Sequence, residues 1–390
     1  MAFDIKDFVR LADQKLLKEY CKRKKIQYES KDKEKRVDAT KRFMSVWEGL
    51  DDKKKKRVEF DFITVNDLAS HGGYKALQDE ASLQSIARLP KELEGLSSRN
   101  SVFWFFLKKK SIFEEASAKY EVLDTLGWKD INISTQKRSF GFISTRKEAL
   151  SKALVNHFRT ELRGERCEVS YYKIDDLACF VAYPEDWVEE NTEYNSKGEL
   201  SKTIHKPVIK IFFVYEPATG RLSTKAKGGW NYAEKLHKLF ASAVLKQEVN
   251  VDRDSVFNLN KLKELEFDFP TPPEDKVEYV FVKSLRISYP QAQGTRIVLE
   301  TTKGKKGHNL DVMRGMIQDL GVERQLQSNR LAITQASIQV KFPKPSKGLR
   351  GTVTAHITHP NSWDLGNKPL HRKVKQYLKN WGIDDGYSAS

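Results

Sequence analysis

The stretch VIKIFFVYEPATGRLSTK, from Val208 to Lys225, decides the fold class. Residues 208–215 are a run of β-branched and aromatic side chains, and residues 221–225 read as a second, shorter strand. Between them, Pro217-Ala218-Thr219-Gly220 puts proline where a turn wants a fixed φ and glycine where the chain leaves it. Strands joined this tightly run antiparallel, so this part of the chain rests on hairpins and not on parallel crossovers.

Outward from that hairpin, strands are expected at 168–172 and 178–183, turning through Asp175-Asp176. Helical periodicity covers 145–162 before them and 232–245 after the hairpin. The polar stretch 189–201 has no apolar periodicity and is expected to be an insertion loop. An acidic segment with Pro270, Pro272 and Pro273 follows, and then a second set of elements. Its strands are expected at 277–288, 296–301, 333–342 and 352–358, with a helix over 309–320. A last helix over 368–381 is capped by Gly382.

Upstream the texture is helical. Ile5, Phe8, Val9, Ala12, Leu16 and Tyr20 form one stripe on a helix starting near Asp4. A second helix is expected from Asp51-Asp52 to a stop at Gly72-Gly73. Residues 101–126, with Val102 to Leu107 apolar nearly all round, form the expected centre of this part. The expected architecture is therefore a multidomain α+β protein. It has a helical domain over 1–129, an α+β module over 130–262, an acidic linker over 263–275 and a basic α+β module over 276–390. Both modules read hairpin, intervening segment, hairpin, helix, the pattern of a degenerate duplication that equal strand orders would support.

Charge narrows the functional classes. The chain of 390 residues carries 69 Lys and Arg against 53 Asp and Glu, a formal charge of +16. Between Lys303 and Lys379 there are 15 basic and 4 acidic residues, so this stretch alone holds +11. The N-terminal lysines alternate with acids and read as solvated helix faces. No run of residues is apolar enough for a membrane span and Met1 to Lys6 does not begin like a signal peptide, so a cytoplasmic protein is expected. Cys21, Cys167 and Cys179 are too few and too scattered for a disulfide framework or a thiolate zinc site.

Catalytic signatures fall short. Lys303-Gly304-Lys305-Lys306-Gly307 lacks the spacing and terminal hydroxyl of a phosphate-cradling loop. His356 and His359 are three apart in a strand and point to opposite faces. His356-Ile357-Thr358 is half of a paired His-x-Thr signature with no second copy, and His371-x-Lys373 has Leu378 where an acid belongs. The carboxylates of Asp268 and Glu274-Asp275-Lys276, or Asp175-Asp176 with Glu185-Asp186, leave a Mg²⁺-dependent nuclease as an alternative. A protein-binding adaptor is a second alternative. No cofactor or metal is expected.

The favoured reading is a non-enzymatic nucleic-acid-binding or sensing subunit. It would contact the phosphate backbone of DNA or RNA with weak sequence preference, through Lys303, Lys305, Lys306, Lys344, Lys347, Arg350, Arg372, Lys373 and Lys375. Lysines make point-charge contacts without a fixed fork, which favours backbone over base. Phe342, Trp363, Tyr377 and Trp381 accompany this cluster; Tyr377 and Trp381 fall on the inward stripe of the last helix, and Trp363 lies in a loop. A protein partner or a homo-oligomer completes the expectation, in a setting such as prokaryotic genome maintenance or antiviral defence.

Overall fold

The computed structural model describes residues 3–29, 35–84, 90–133, 141–195, 197–249, 256–264, 266–289, 294–301, 310–343 and 351–384. The chain divides into two compact units, Met1–Leu123 and Asp124–Ser390.

The first unit is built from α1 (Ile5–Leu11), α2 (Gln14–Arg23), α3 (Arg36–Glu48), α4 (Asp52–Leu68), α5 (His71–Leu83), α6 (Ser98–Lys108) and α7 (Lys110–Asp124). The apolar stripe expected on one helix is shared by two. The chain breaks at Ala12, and Asp13 caps α2 by accepting from the Lys15 and Leu16 amides. Gly72-Gly73 does not end a helix; it lies in the first turn of α5, where Ser70 Oγ accepts from Gly73 N (3.0 Å). A Cβ at Gly73 would stand 2.2 Å from the Leu68 carbonyl oxygen, so glycine is what lets α4 turn so tightly into α5. Helix α6 is buried over Val102, Phe103, Trp104, Phe105 and Leu107, which assigns its apolar surface to the core and not to a partner. Phe62 stacks on Phe8 (centroids 4.4 Å) and meets Tyr20 and Phe103.

The second unit begins with β1 (Trp128–Asn132) and α8 (Ile143–Thr160), followed by β2 (Cys167–Ile174), β3 (Leu177–Pro184), β4 (Glu189–Tyr194), β5 (Leu200–His205), β6 (Ile211–Glu216) and β7 (Arg221–Lys225). Helix α9 (Trp230–Phe240) closes this half. Next come β8 (Tyr279–Ser288), β9 (Arg296–Glu300), α10 (Leu310–Asp319), α11 (Glu323–Gln327), β10 (Ala332–Lys341), β11 (Thr352–Thr358), β12 (Ser362–Trp363) and α12 (Pro369–Asn380). Ten of these strands form one antiparallel sheet in the order β2-β3-β6-β7-β1-β12-β11-β10-β8-β9. Helices α8 and α9 cover the first half through Leu150, Leu154, Phe158, Leu236 and Phe240, packed on Phe180 and Phe213. Helix α12 buries Val374, Tyr377 and Leu378, and Tyr377 stacks on Phe342 (6.1 Å).

The mixed α+β character expected from the hairpins is what the structure has. The internal duplication is not supported. The first half orders its four strands as a plain meander, β2-β3-β6-β7, whereas the second runs β9-β8-β10-β11, with the first hairpin reversed. The expected insertion loop at 189–201 is a two-stranded arm, β4 paired with β5 from Glu189↔His205 to Tyr194↔Leu200. Among the described residues no helix is long and apolar enough to cross a membrane.

Candidate nucleic-acid interface and a charged cavity

Of the nine basic residues singled out, Lys303, Lys305, Lys306, Lys344, Lys347 and Arg350 lie outside the described residues. The other three sit on α12. Arg372 pairs with Asp175 (2.5 Å), and Lys373 pairs with Asp275. Lys375 is half-buried and turned inward, donating to Asn367 Oδ1 (2.9 Å) with its amine 4.6 Å from the centroid of the Trp363 ring. The four accompanying aromatics, Phe342, Trp363, Tyr377 and Trp381, are all buried, so base stacking falls to none of them.

Register shows where the two lysine-rich segments attach. Thr301 N donates to Lys283 O as β9 ends, and Lys341 at the end of β10 lies opposite both Tyr279 and Thr352. Strand β10 thus ends, and β11 begins, at the Tyr279 end of β8, whereas β9 stops level with Lys283, midway along β8, running toward that end. On the face away from Ile338, Val340 and Ala355, these strands carry half-exposed polar side chains joined across the ladder. Ser284 Oγ donates to Ser337 Oγ (2.9 Å), and Ser337 Oγ lies 2.8 Å from His356 Nδ1. Gln335 Nε2 donates to Thr358 Oγ1 (2.7 Å), and Gln339 Nε2 to Thr354 Oγ1 (3.2 Å). Arg286 is on the same face, opposite Gln335. The alternation in QASIQVK (335–341) and TVTAHIT (352–358) carried this signal in the sequence, which charge counting passed over.

A cavity of about 1110 Å³ opens elsewhere in this unit, between α12, β7 and the turns at Asp175 and Thr219. Small-ligand sites typically measure about 300–1,000 Å³. Arg221 on β7 grips Asp384 with both terminal nitrogens (2.8 and 2.5 Å), and its Nε is 3.3 Å from Asp130 Oδ2. Asp130 on β1 is fully buried, and burial raises its carboxyl above the usual range against the pull of Arg221 and Lys375. Burial would lower the Arg221 guanidinium, but Asp130 and Asp384 reverse this and keep it charged. Burial likewise brings the Lys375 ammonium down to about 8, with Asp130 opposing and Arg221 assisting.

A base with a lowered folded pKa binds fewer protons folded than unfolded. Unfolding free energy from Lys375 therefore rises with pH between about 8 and its ordinary 10.5. Allowing for partial solvent screening, this rise is expected to be roughly 1–3 kcal/mol. Urea unfolding of the native chain and of Lys375→Met at several pH values checks it; equal slopes across that window would refute the assignment.

Four of the acids of the nuclease alternative have partners of their own. Asp175 pairs with Arg372, Asp275 accepts from Lys373 and Tyr377, Glu185 accepts from Glu165 N (3.1 Å), and Asp186 lies 3.5 Å from Arg163. Among the described residues no group of three or more His, Cys, Asp and Glu is placed to hold a metal ion. Burial pushes the thiols of Cys21, Cys167 and Cys179 up to about 12, and all three are free. Sequence reasoning missed Asp130, Arg221 and Asp384 altogether. No family model matches this chain, and no curated protein matches it either.

Proposed function

We propose that this protein is a non-enzymatic nucleic-acid-binding subunit whose C-terminal sheet half contacts the phosphate backbone of DNA or RNA. The observation that carries this reading is the polar face of β8, β10 and β11, toward one end of which β9 and β10 both run before the two lysine-rich segments of the sequence. Serine, threonine and glutamine side chains on such a face can donate to phosphate and sugar oxygens, and the lysines supply the counter-charge. Arg372 and Lys373 contribute less than a free cation would, because each is already paired. Lys375 belongs to the cavity. The same chemistry serves a protein that acts with a partner in genome maintenance or antiviral defence.

The test is fluorescence anisotropy on a labelled duplex and a labelled single strand across a salt series in EDTA. Each phosphate contact adds about −0.9 to the slope of log K against log salt for duplex DNA. Changing Lys303, Lys305, Lys306, Lys344 and Lys347 to Glu is expected to flatten that slope by several units. Gln339→Glu with Thr354→Glu, which puts two acids on the sheet face, is expected to weaken binding to all sequences alike. No binding at 50 mM salt, or an unchanged slope, would overturn the proposal.

A further inference from the structure

Helix α2 departs from the alternation of charge expected of the N-terminal lysines. From Gln14 to Lys25 there are six bases and one acid. Glu19 is that acid, and it is taken twice, by Arg23 (2.7 Å) and by Lys108 of α6 (2.8 Å). Lys24 reaches inward to Asp61 (2.6 Å). Lys15, Lys18, Lys22 and Lys25 are exposed, and among the described residues none of them has an acid as partner. Lys15, Lys18 and Lys22 are three and four residues apart, so they form one stripe along the helix, and Lys25 follows just past its end.

The stripe does not serve the fold. Packing of α2 falls to Leu16, Leu17, Tyr20 and Cys21, which are buried on its other side. Like charges three and four residues apart repel one another, and Lys15 stands in the first turn, where the helix dipole disfavours a cation. Among the described residues no acid offsets these costs, whereas an anion from outside the chain would.

The chemistry of the stripe selects its partner. The side chains of α2 that are not buried, Gln14, Lys15, Lys18, Glu19, Lys22 and Arg23, are all polar. The helix therefore offers no apolar face to enter a lipid surface and no aromatic anchor to seat a protein. Lysine is itself depleted in protein–protein interfaces. What α2 does offer is a regular line of charge. From Lys15 to Lys22 the helix rises about 10 Å. A duplex carries one phosphate per about 3.4 Å of axis on each strand, so three phosphates of one strand match three lysines over the same length. Ammonium groups on flexible stems can follow such a backbone without a fixed geometry. We propose that the exposed stripe of α2 is a second nucleic-acid contact, in the helical unit, where Lys15, Lys18 and Lys22 lie along the phosphates of one strand of a duplex. This rests on the nucleic-acid reading above and adds a site separate from the C-terminal sheet.

Lys15→Gln, Lys18→Gln and Lys22→Gln together remove three charges and keep good helix formers. In the salt series on the labelled duplex, the slope of the full chain with these changes is expected to be shallower than native by about 2.7, at about 0.9 per contact. Its thermal midpoint is expected to be unchanged or higher, because the repulsion along α2 is gone. The control makes the same change in net charge where lysines already have acids. Lys54→Gln, Lys202→Gln and Lys238→Gln leave Asp51, Glu190 and Glu234 without their partners, and the slope is expected to move by less than about 0.9, one contact.

A stripe variant with the native slope overturns the proposal. So does a control that flattens the slope as much, since net charge alone would then account for the binding. Polyglutamate that displaces the labelled duplex as well as unlabelled duplex does, at equal charge, overturns it in favour of an acidic protein. The two surfaces fail separately. If the five Glu changes in the C-terminal segments flatten the slope and the stripe variant does not, only the stripe falls. If the stripe variant flattens it and the five changes do not, only the sheet surface falls, and a native chain that binds no duplex at low salt sinks both.

Discussion

Arg221→Met is expected to cost the second unit about 3–5 kcal/mol, the usual loss when one partner of a buried ion pair is removed. The size follows from what is left behind. Asp384 is 3% exposed and Asp130 is fully buried, and Arg221 is the cation in direct contact with both. Methionine fills most of the volume but leaves two carboxylates in a poorly solvated site. Asp384→Asn in the same chain removes one of those charges, so the double variant is expected to lose less than the two single variants added together. Urea unfolding of the four chains gives the coupling energy directly. Additivity within about 0.5 kcal/mol would mean that the cluster does not act as a unit.

Phe62→Ala is expected to cost the first unit about 3–5 kcal/mol, a large share of the roughly 5–15 kcal/mol that stabilises a typical domain. Phe62 is wholly buried, stacked on Phe8 and ringed by Tyr20, Phe103 and Phe43 at 4.8 to 6.0 Å. These rings come from α1, α2, α3 and α6, so a cavity at this point loosens four helices at once. The control is two residues away. Phe60 is 60% exposed, and Phe60→Ala is expected to change stability by less than about 0.5 kcal/mol. Hydrogen exchange followed peptide by peptide over residues 3–123 separates the two outcomes; equal effects from Phe60 and Phe62 would contradict this packing.

Hairpins with their own turn chemistry were legible. Strands β6 and β7 follow from Pro217 to Gly220, and β10 and β11 follow from strict alternation. What stayed hidden was held by distant partners. Strand β1 is five residues, WKDIN, and its neighbours β7 and β12 are contributed by residues 221–225 and 362–363. Nothing local marks it as a strand, and the burial of Asp130 there depends on an arginine 91 positions later. The arm at 189–205 misled for another reason. Its apolar residues sit on opposite strands, so neither strand alternates clearly alone, and only pairing puts them on one face. The charge excess was read correctly as a sum, but Lys375 shows that a sum does not separate a surface cation from one turned inward.

The junction between the two halves of the large sheet has a mechanical consequence. Strand β12 is two residues long and meets β1 only through Trp128↔Trp363 and Lys129↔Ser362. Such a short ladder is a seam, across which a ten-stranded sheet would tear first under load. Asp384, which follows α12, crosses it to Arg221, and the Asn361 carbonyl crosses it to Asp130 N (3.0 Å). These tie points fasten the seam beside the cavity. A ligand that drew Arg221 away from Asp384 would unfasten the join, making the sheet a plate that can crease along one line.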